Sequence, residues 1–523
     1  MNDFPENEYK HDNQDINPKI IFIKLVILSI TIFISIKCYQ NDTLIKTFLK
    51  QNSSEKKGFI YNSFKKRIYN NPYIPQGKNK CEKYDPYNLF QIRFKSHPIY
   101  LCKSDDSEHL CYVNHNAFSI FKKGVSCQMK NFFLNTSNWK EEKEEDTYMD
   151  PMKINNTFLL KGFFKMKCDE KEKFDDFNIK YNKYFESWDY DSDYKDDKIN
   201  GEKIEELASN KTIFFISRNK DSPNLFFGGS AVINAFLLME HFNLSSENIQ
   251  VIFFENMNIK IDPFYDIYKN VISRGGEPIH ISQLKNKTYH IKEAFYVPIN
   301  WDSPCFSLFP DIQNCIYSGQ GYNYFNELIN KYLQIPNFTE PTNYDKEIYY
   351  YPKNMTNPNS SNYTTFLTVL WRRVWPKGRI GQERLMGNGE EWIEKLYEVL
   401  PKSTLIRLVD TSRLTIIEQI SLMKKTDYLL GIHGAGLFLS VFLPKTSIMN
   451  EINTNYKSKN LEIVSKLSGH KTYIDNLIYK EDSIEGNYYV YFNPNVISER
   501  VFKRMNEIFY KKGFKHEFLK NTG

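Results

Sequence analysis

The sequence predicts an α/β protein in which two Rossmann-like domains face a cleft, behind a transmembrane anchor and a cysteine-bearing N-terminal region. Three observations lead there. From residue 204 onward strand and helix patterns alternate, which implies parallel sheets with helices on their faces. A Pro-, Asn-, Thr- and Ser-rich interval, 336–362, divides that alternation into two sets. An apolar run at 20–36 is about as long as the shortest spanning helices. The 523 residues exceed what one core organises, so two domains with extensions fit the length.

Residues 1–19 read as a cytoplasmic tail and 20–36 as an uncleaved signal-anchor. Lys24, Ser29, Thr31 and Ser35 interrupt the apolar run. The sequence after it, Ser35-Ile36-Lys37-Cys38-Tyr39, lacks a small-x-small cleavage site. Charge does not set orientation, because Lys10 and Lys19 precede the span while Lys37, Lys46 and Lys50 follow it. Sequons and cysteines place the downstream chain in an oxidising lumen. Asn135, Asn210, Asn243, Asn286, Asn337 and Asn354 are the candidate glycosylation sites; Asn41, Asn52, Asn155, Asn359 and Asn362 also sit in N-x-S/T. No cysteine lies in C-x-x-C, so disulfides are expected rather than zinc. Cys305 and Cys315 are the candidate bridge across a short loop, and Cys81, Cys102, Cys111, Cys127 and Cys168 leave one over. The expected topology is single-pass type II in the ER or Golgi membrane.

Residues 37–80 form a polar stem, and 81–203 a cysteine-bearing region ending in an acidic, aromatic connection. The first alternating domain, 204–335, has strands at 212–217 and 249–254, helices at 231–242 and 262–273, and shorter strands at 277–281 and 294–297. A helix at 322–333 closes it. The linker 336–362 carries four sequons and is expected to be exposed. The second domain, 363–523, has strands at 365–370, 404–409, 428–432 and 447–452. Its helices are expected at 390–400, 415–425, 437–443 and 498–511. The net charge of +6 is small for this length, and no basic stripe with interleaved aromatics supports nucleic-acid binding.

The most informative stretch is Tyr428 to Leu443, where an apolar strand breaks into His433-Gly434-Ala435-Gly436-Leu437 and resumes as a helix. Unpaired amides and the macrodipole make such a helix start an anion site, or it is an ordinary βα turn. Arg372 and Arg373 end the strand 365–370, and Arg379 follows a short loop. Arginine's planar fork suits phosphate, with a surface ion-pair cluster as the alternative.

These residues, with Phe442-Leu443-Pro444 and Met449-Asn450-Glu451-Ile452, resemble the signature of glycosyltransferase family 61. That family includes EGF-domain O-GlcNAc transferases, O-mannose β-1,4-GlcNAc transferases and plant β-1,2-xylosyltransferases. The resemblance is strong from Phe366 to Ile452 and thin elsewhere. It implies a lumenal, GT-B-like, inverting enzyme that moves GlcNAc or xylose from a UDP-sugar to a glycoprotein acceptor, with no cofactor required. The donor site then comprises Arg372 or Arg373, the Gly434, Ala435, Gly436 and Leu437 amides, and Glu451, which would accept from ribose hydroxyls or serve structurally. Arg379 and His433 are catalytic candidates, His433 donating to the diphosphate or capping the turn.

The first domain departs from the family. Asn234 and Phe236 fit its spacing, but Leu237-Leu238-Met239 replaces His-His-Phe, with His241 close behind. The general base is left open among Glu240, His241, Glu255 and Asp262; His241 is the one carried as a catalytic candidate. Asp191-Ser192-Asp193 has metal-binding spacing but falls in the acidic connection, so no metal site is expected. The rival reading is a catalytically inert, lumenal carbohydrate-binding or scaffold protein of the same fold.

Overall fold

Two large sheets carry the chain, and the apolar runs account for the strands at the centre of each. The computed structural model describes residues 99–513 apart from 115–123, 140–159, 171–186, 191–197, 200–201, 217–223, 254–261, 298–302, 306–319, 343–344, 373–383, 454–458, 485–486 and a few single positions. Of the chain's two units, Met1–Gly77 lies wholly outside these residues, and the structure concerns Lys78–Gly523. The expected tail, anchor and stem are therefore outside the described residues. Among the described residues no helix is long and apolar enough to cross a membrane.

In the first sheet, β1 (Ile99–Lys103), β2 (Glu108–Asn114) and β3 (Gly124–Asn135) form an antiparallel meander. A parallel section follows from β4 (Thr212–Ile216), β5 (Ile249–Phe253), β6 (Ile279–His280) and β7 (Thr288–Val297). The order is β1–β2–β3–β7–β4–β5–β6, with β7 antiparallel to β3. β4 and β5 are buried at every position, as parallel strands covered on both faces are. The cysteine-bearing region is thus no appendage but an extension of the first domain's sheet. Among the described residues its disulfides are Cys102–Cys168 and Cys111–Cys127, the second joining directly opposed residues of β2 and β3.

The second sheet holds β8 (Tyr349–Tyr350), β9 (Thr365–Leu370), β10 (Thr404–Val409), β11 (Tyr428–Ile432), β12 (Ile448–Ile452) and β13 (Lys471–Asp475). Its order is β8–β10–β9–β11–β12–β13, parallel throughout except for the edge pair β8–β10. β8 comes from the interval expected to be an exposed linker. Glu340 in that interval is 2 % exposed and pairs with Arg407 of β10, while Tyr351 Oη donates to the same carboxylate at 2.6 Å. The linker is therefore half built into the second domain, although Asn337 and Asn354 stay exposed.

Helix α1 (Leu225–His241) starts earlier than its apolar period indicates, because Asn224 caps it by accepting from the Phe226 amide at 3.0 Å. From Phe226 to Met239 it is buried at all positions but Phe227, so it lies inside the fold rather than on it. The segment expected as a helix at 262–273 is a short turn, Tyr265–Ile267, running into a π-helical turn, Tyr268–Ile272. Helix α2 (Gln320–Leu333) follows, then α3 (Ile416–Lys424), whose capping box joins Thr415 and Glu418. The last helix, α4 (Pro494–Lys511), is capped by Asn493 with Pro494 in its first turn.

One apolar cluster spans both sheets. Phe438, on the 3-10 helix Ala435–Phe442, packs edge-on against Phe226 of α1 and against Phe264. Gly229 of α1 receives that ring: a Cβ there would lie 2.1 Å from Phe438 Cε1. Asn326 of α2 adds a polar tie, donating to the Val441 carbonyl at 2.6 Å.

Candidate functional site

In the second sheet the chain lays β10 on one side of β9 and β11 on the other. The carboxyl ends of β9 and β11 therefore flank a topological switch point, where open α/β sheets bind ligands. Arg372 follows β9 and His433 follows β11, so sequence order alone delivers both to this crevice. Glu451 arrives through register: Gly431 pairs with Glu451, and Leu370 with Gly431. Side chains on a strand alternate, so His433, two residues beyond Gly431, faces the same side as Glu451.

The contacts follow from that register. His433 Nδ1 makes a short hydrogen bond with Glu451 Oε1, and the two residues are 6 % and 1 % exposed. The His433 amide donates to the Ile452 carbonyl at 2.9 Å, pinning the turn to β12. Arg372 Nη1 donates to the His433 carbonyl at 2.8 Å. This last contact explains Gly434. Its backbone is extended, with φ 170°, which any residue adopts. A Cβ there would sit 2.3 Å from Arg372 Nη1, so it is the bare glycine that lets the guanidinium lie across the turn.

The turn then enters a 3-10 helix, Ala435–Phe442, in place of the expected α-helix at 437–443. Leu437 spends its amide on the Gly434 carbonyl at 3.0 Å, and its side chain is fully buried. That removes Leu437 from the expected amide donors. In an i→i+3 helix the donors before it, at Ala435 and Gly436, lack an acceptor within the helix. Gly436 is closely packed, its Cβ position lying 3.2 Å from Leu370 Cδ1. A guanidinium, the first turn of a helix and an imidazole meet within residues 433–436, a set of groups that attracts an anion. Two acceptor atoms nearby, Glu451 Oε2 and Asn453 Oδ1, are buried without a hydrogen-bond partner among the described residues. Asn453 was missed in the sequence, where only its place two residues after Glu451 on a strand end pointed to it.

Other expected residues fall elsewhere. Arg373, Arg379 and Glu255 lie outside the described residues, as do Asp191 and Asp193. His241 ends α1, whereas Gly229 near its start meets Phe438; at 1.5 Å per residue the two are about 18 Å apart along the helix. The structure therefore does not bring His241 to the His433 turn, and burial lowers its pKa from 6.5 to about 4. Glu240 shares that end of α1. Asp262, 4 % exposed, accepts from the Phe264 amide at 2.8 Å, and Phe264 packs on Phe438. Asp262 is two residues from Phe264, which touches the 3-10 helix, whereas Glu240 and His241 sit at the end of α1 remote from its Phe226 and Gly229 contacts with Phe438. Leu237 and Leu238 are fully buried core residues.

Asn210, Asn243 and Asn286 are exposed, and Asn135 is partly buried. Cys305 corrects the expected bridge: its thiol is free and buried, 3.4 Å from Tyr322 Oη, and Cys315 lies outside the described residues. One trio, His109, Cys111 and Cys127, has metal-ligand spacing, but both sulfurs are committed to a disulfide.

None of the curated protein sequences matches the chain significantly. Residues 109–449 match the family described as Glycosyltransferase 61, a span that runs from β2 to the start of β12, includes the His433 turn and ends two residues before Glu451. That match takes in well over half of the 523 residues, and the chain belongs to glycosyltransferase family 61.

Proposed function

We propose that the chain is an inverting transferase that moves GlcNAc or xylose from UDP to a glycoprotein acceptor in the secretory pathway. Its two sheets would form a GT-B arrangement, with the donor held at the β9–β11 switch point. The observation that carries this reading is the convergence of Arg372, the His433 turn and Glu451 on one crevice. Attack by an acceptor hydroxyl at the anomeric carbon forms the new glycosidic bond and breaks the bond to the β-phosphate oxygen, whose electron pair leaves with UDP. The growing charge on that oxygen meets Arg372, the Ala435 and Gly436 amides and His433. Arg379 and Arg373 are further candidates for that role. Asp262 is the base we favour for the hydroxyl proton, from its place beside the 3-10 helix. The two disulfides and the exposed sequon asparagines support a lumenal setting, reached through the 20–36 anchor.

A second reading, an inert carbohydrate-binding protein of the same fold, draws on Leu237 and Leu238, whose burial leaves no chemistry at those positions. Turnover of a UDP-sugar panel with a glycoprotein acceptor, with and without EDTA, separates the two. Transfer that survives EDTA supports the metal-free transferase. UDP binding without turnover of any sugar favours the inert reading, and loss of activity in EDTA removes the metal-free mechanism.

A further inference from the structure

Sequence order gives His433 and Glu451 separate tasks, one toward the diphosphate and one toward a ribose. The structure makes them one unit. Glu451 Oε1 is committed to His433 Nδ1, both residues are buried, and the pairing is set by β11–β12 register rather than by flexible side chains. The His433 main chain is held as firmly, its amide by Ile452 and its carbonyl by Arg372. A residue fixed at amide, carbonyl and one ring nitrogen is oriented, not merely buried. An imidazole that meets a carboxylate through Nδ1 has its tautomer fixed, because a carboxylate only accepts.

We propose that Glu451 is a positioning residue: it keeps the proton on Nδ1 of His433 and turns Nε2 toward the sugar-nucleotide diphosphate bound at the turn. This rests on the donor-site reading above. The Nδ1–H tautomer leaves Nε2 an acceptor, so the donor to a phosphate oxygen is the doubly protonated ring, its second proton drawn from solvent as the diphosphate binds, with Glu451 countering the ring's charge at Nδ1. No proton moves in the transfer step itself; the pair presents a directed donor whose hydrogen bond strengthens as leaving-group charge develops. A ribose contact from Glu451 is then confined to Oε2, the oxygen that His433 leaves open.

The test is a double-mutant cycle on UDP affinity, measured calorimetrically with the full chain. Glu451→Gln keeps the shape of the side chain and removes its charge; His433→Ala removes the ring. Thermal melting checks that each variant folds. Each single change is expected to weaken UDP binding about tenfold, and the double variant to bind no more weakly than His433→Ala alone. Independent losses that multiply to about a hundredfold, or wild-type affinity in Glu451→Gln, overturn the positioning role. A wild-type chain with no affinity for UDP removes the donor-site reading and this role with it, a result distinguishable from the other two. The ring supplies a readout that packing alone does not move. Its 15N spectrum should show Nδ1 protonated in the wild type and a tautomer mixture in Glu451→Gln. A wild-type ring protonated only at Nε2 contradicts the proposal.

Discussion

Arg372 and His433, separated by 61 residues in sequence, are joined by a 2.8 Å hydrogen bond from guanidinium to main-chain carbonyl. That bond needs the bare face of Gly434. Gly434→Ala places a methyl where Arg372 Nη1 lies, and the flexible guanidinium, rather than the backbone, gives way. The expected result is a UDP affinity lower by about tenfold with little change in melting temperature. Calorimetry and thermal melting on the same preparation check both halves.

Gly229 and Phe438 make a different kind of demand. A methyl at Gly229 meets the ring at 2.1 Å inside a buried cluster, where neither helix has room to yield. Gly229→Ala should cost about 1–3 kcal/mol through overpacking. Phe438→Leu in the same chain should restore part of the loss, which urea unfolding of the two variants would reveal.

Glu340 and Arg407 are 2 % and 0 % exposed, and the arginine also donates to Thr368 Oγ1 at 3.0 Å. Removing one partner strands a buried charge. Glu340→Gln is expected to cost on the order of 3–5 kcal/mol, far more than breaking a surface pair such as Lys503–Glu499. Replacing both Glu340 and Arg407 with apolar residues should be milder than either single change, measured by denaturant midpoint.

Three histidines of the described residues, shielded from water to different degrees, make stability depend on pH in one direction. Burial lowers His109 to about 3 and His241 and His470 to about 4, from an ordinary 6.5. The unfolded chain therefore binds more protons across that interval. Stability is fully present above about pH 6.5 and declines as the solution is acidified, by at most about 1.4 kcal/mol per pH unit for each group. His109, held between Tyr190 Oη and the Trp188 ring, has the widest interval. His109→Gln should flatten the pH profile between about 6 and 3, whatever it does to stability at neutral pH.

The central strands were readable because they are short apolar runs. β10 and β11 have the bounds that hydrophobicity alone predicts, and both are buried at every position. The hairpin Ile478–Ile484 with Asn487–Phe492 was not, since Lys-Glu-Asp-Ser interrupts any apolar run there. Helix α1 was shortened at its start because Gly228-Gly229 reads as a break, whereas Gly229 is a place of close packing against Phe438. The linker's composition suggested exposure, and pairing with Arg407 and Tyr351 overrode it at Glu340. At the site, the turn, Arg372 and Glu451 were each visible as residues of suitable chemistry. Their relation was not, because it depends on which residue of β12 lies opposite Gly431.

The donor-site claim is tested most directly by titrating UDP into the wild-type chain and into Arg372→Ala, with uridine as the control lacking phosphate. Measurable UDP binding by the wild type is expected, with far weaker binding of uridine and a loss of at least about tenfold in Arg372→Ala. UDP binding that is absent from the wild type, or unchanged without the Arg372 guanidinium, would contradict it.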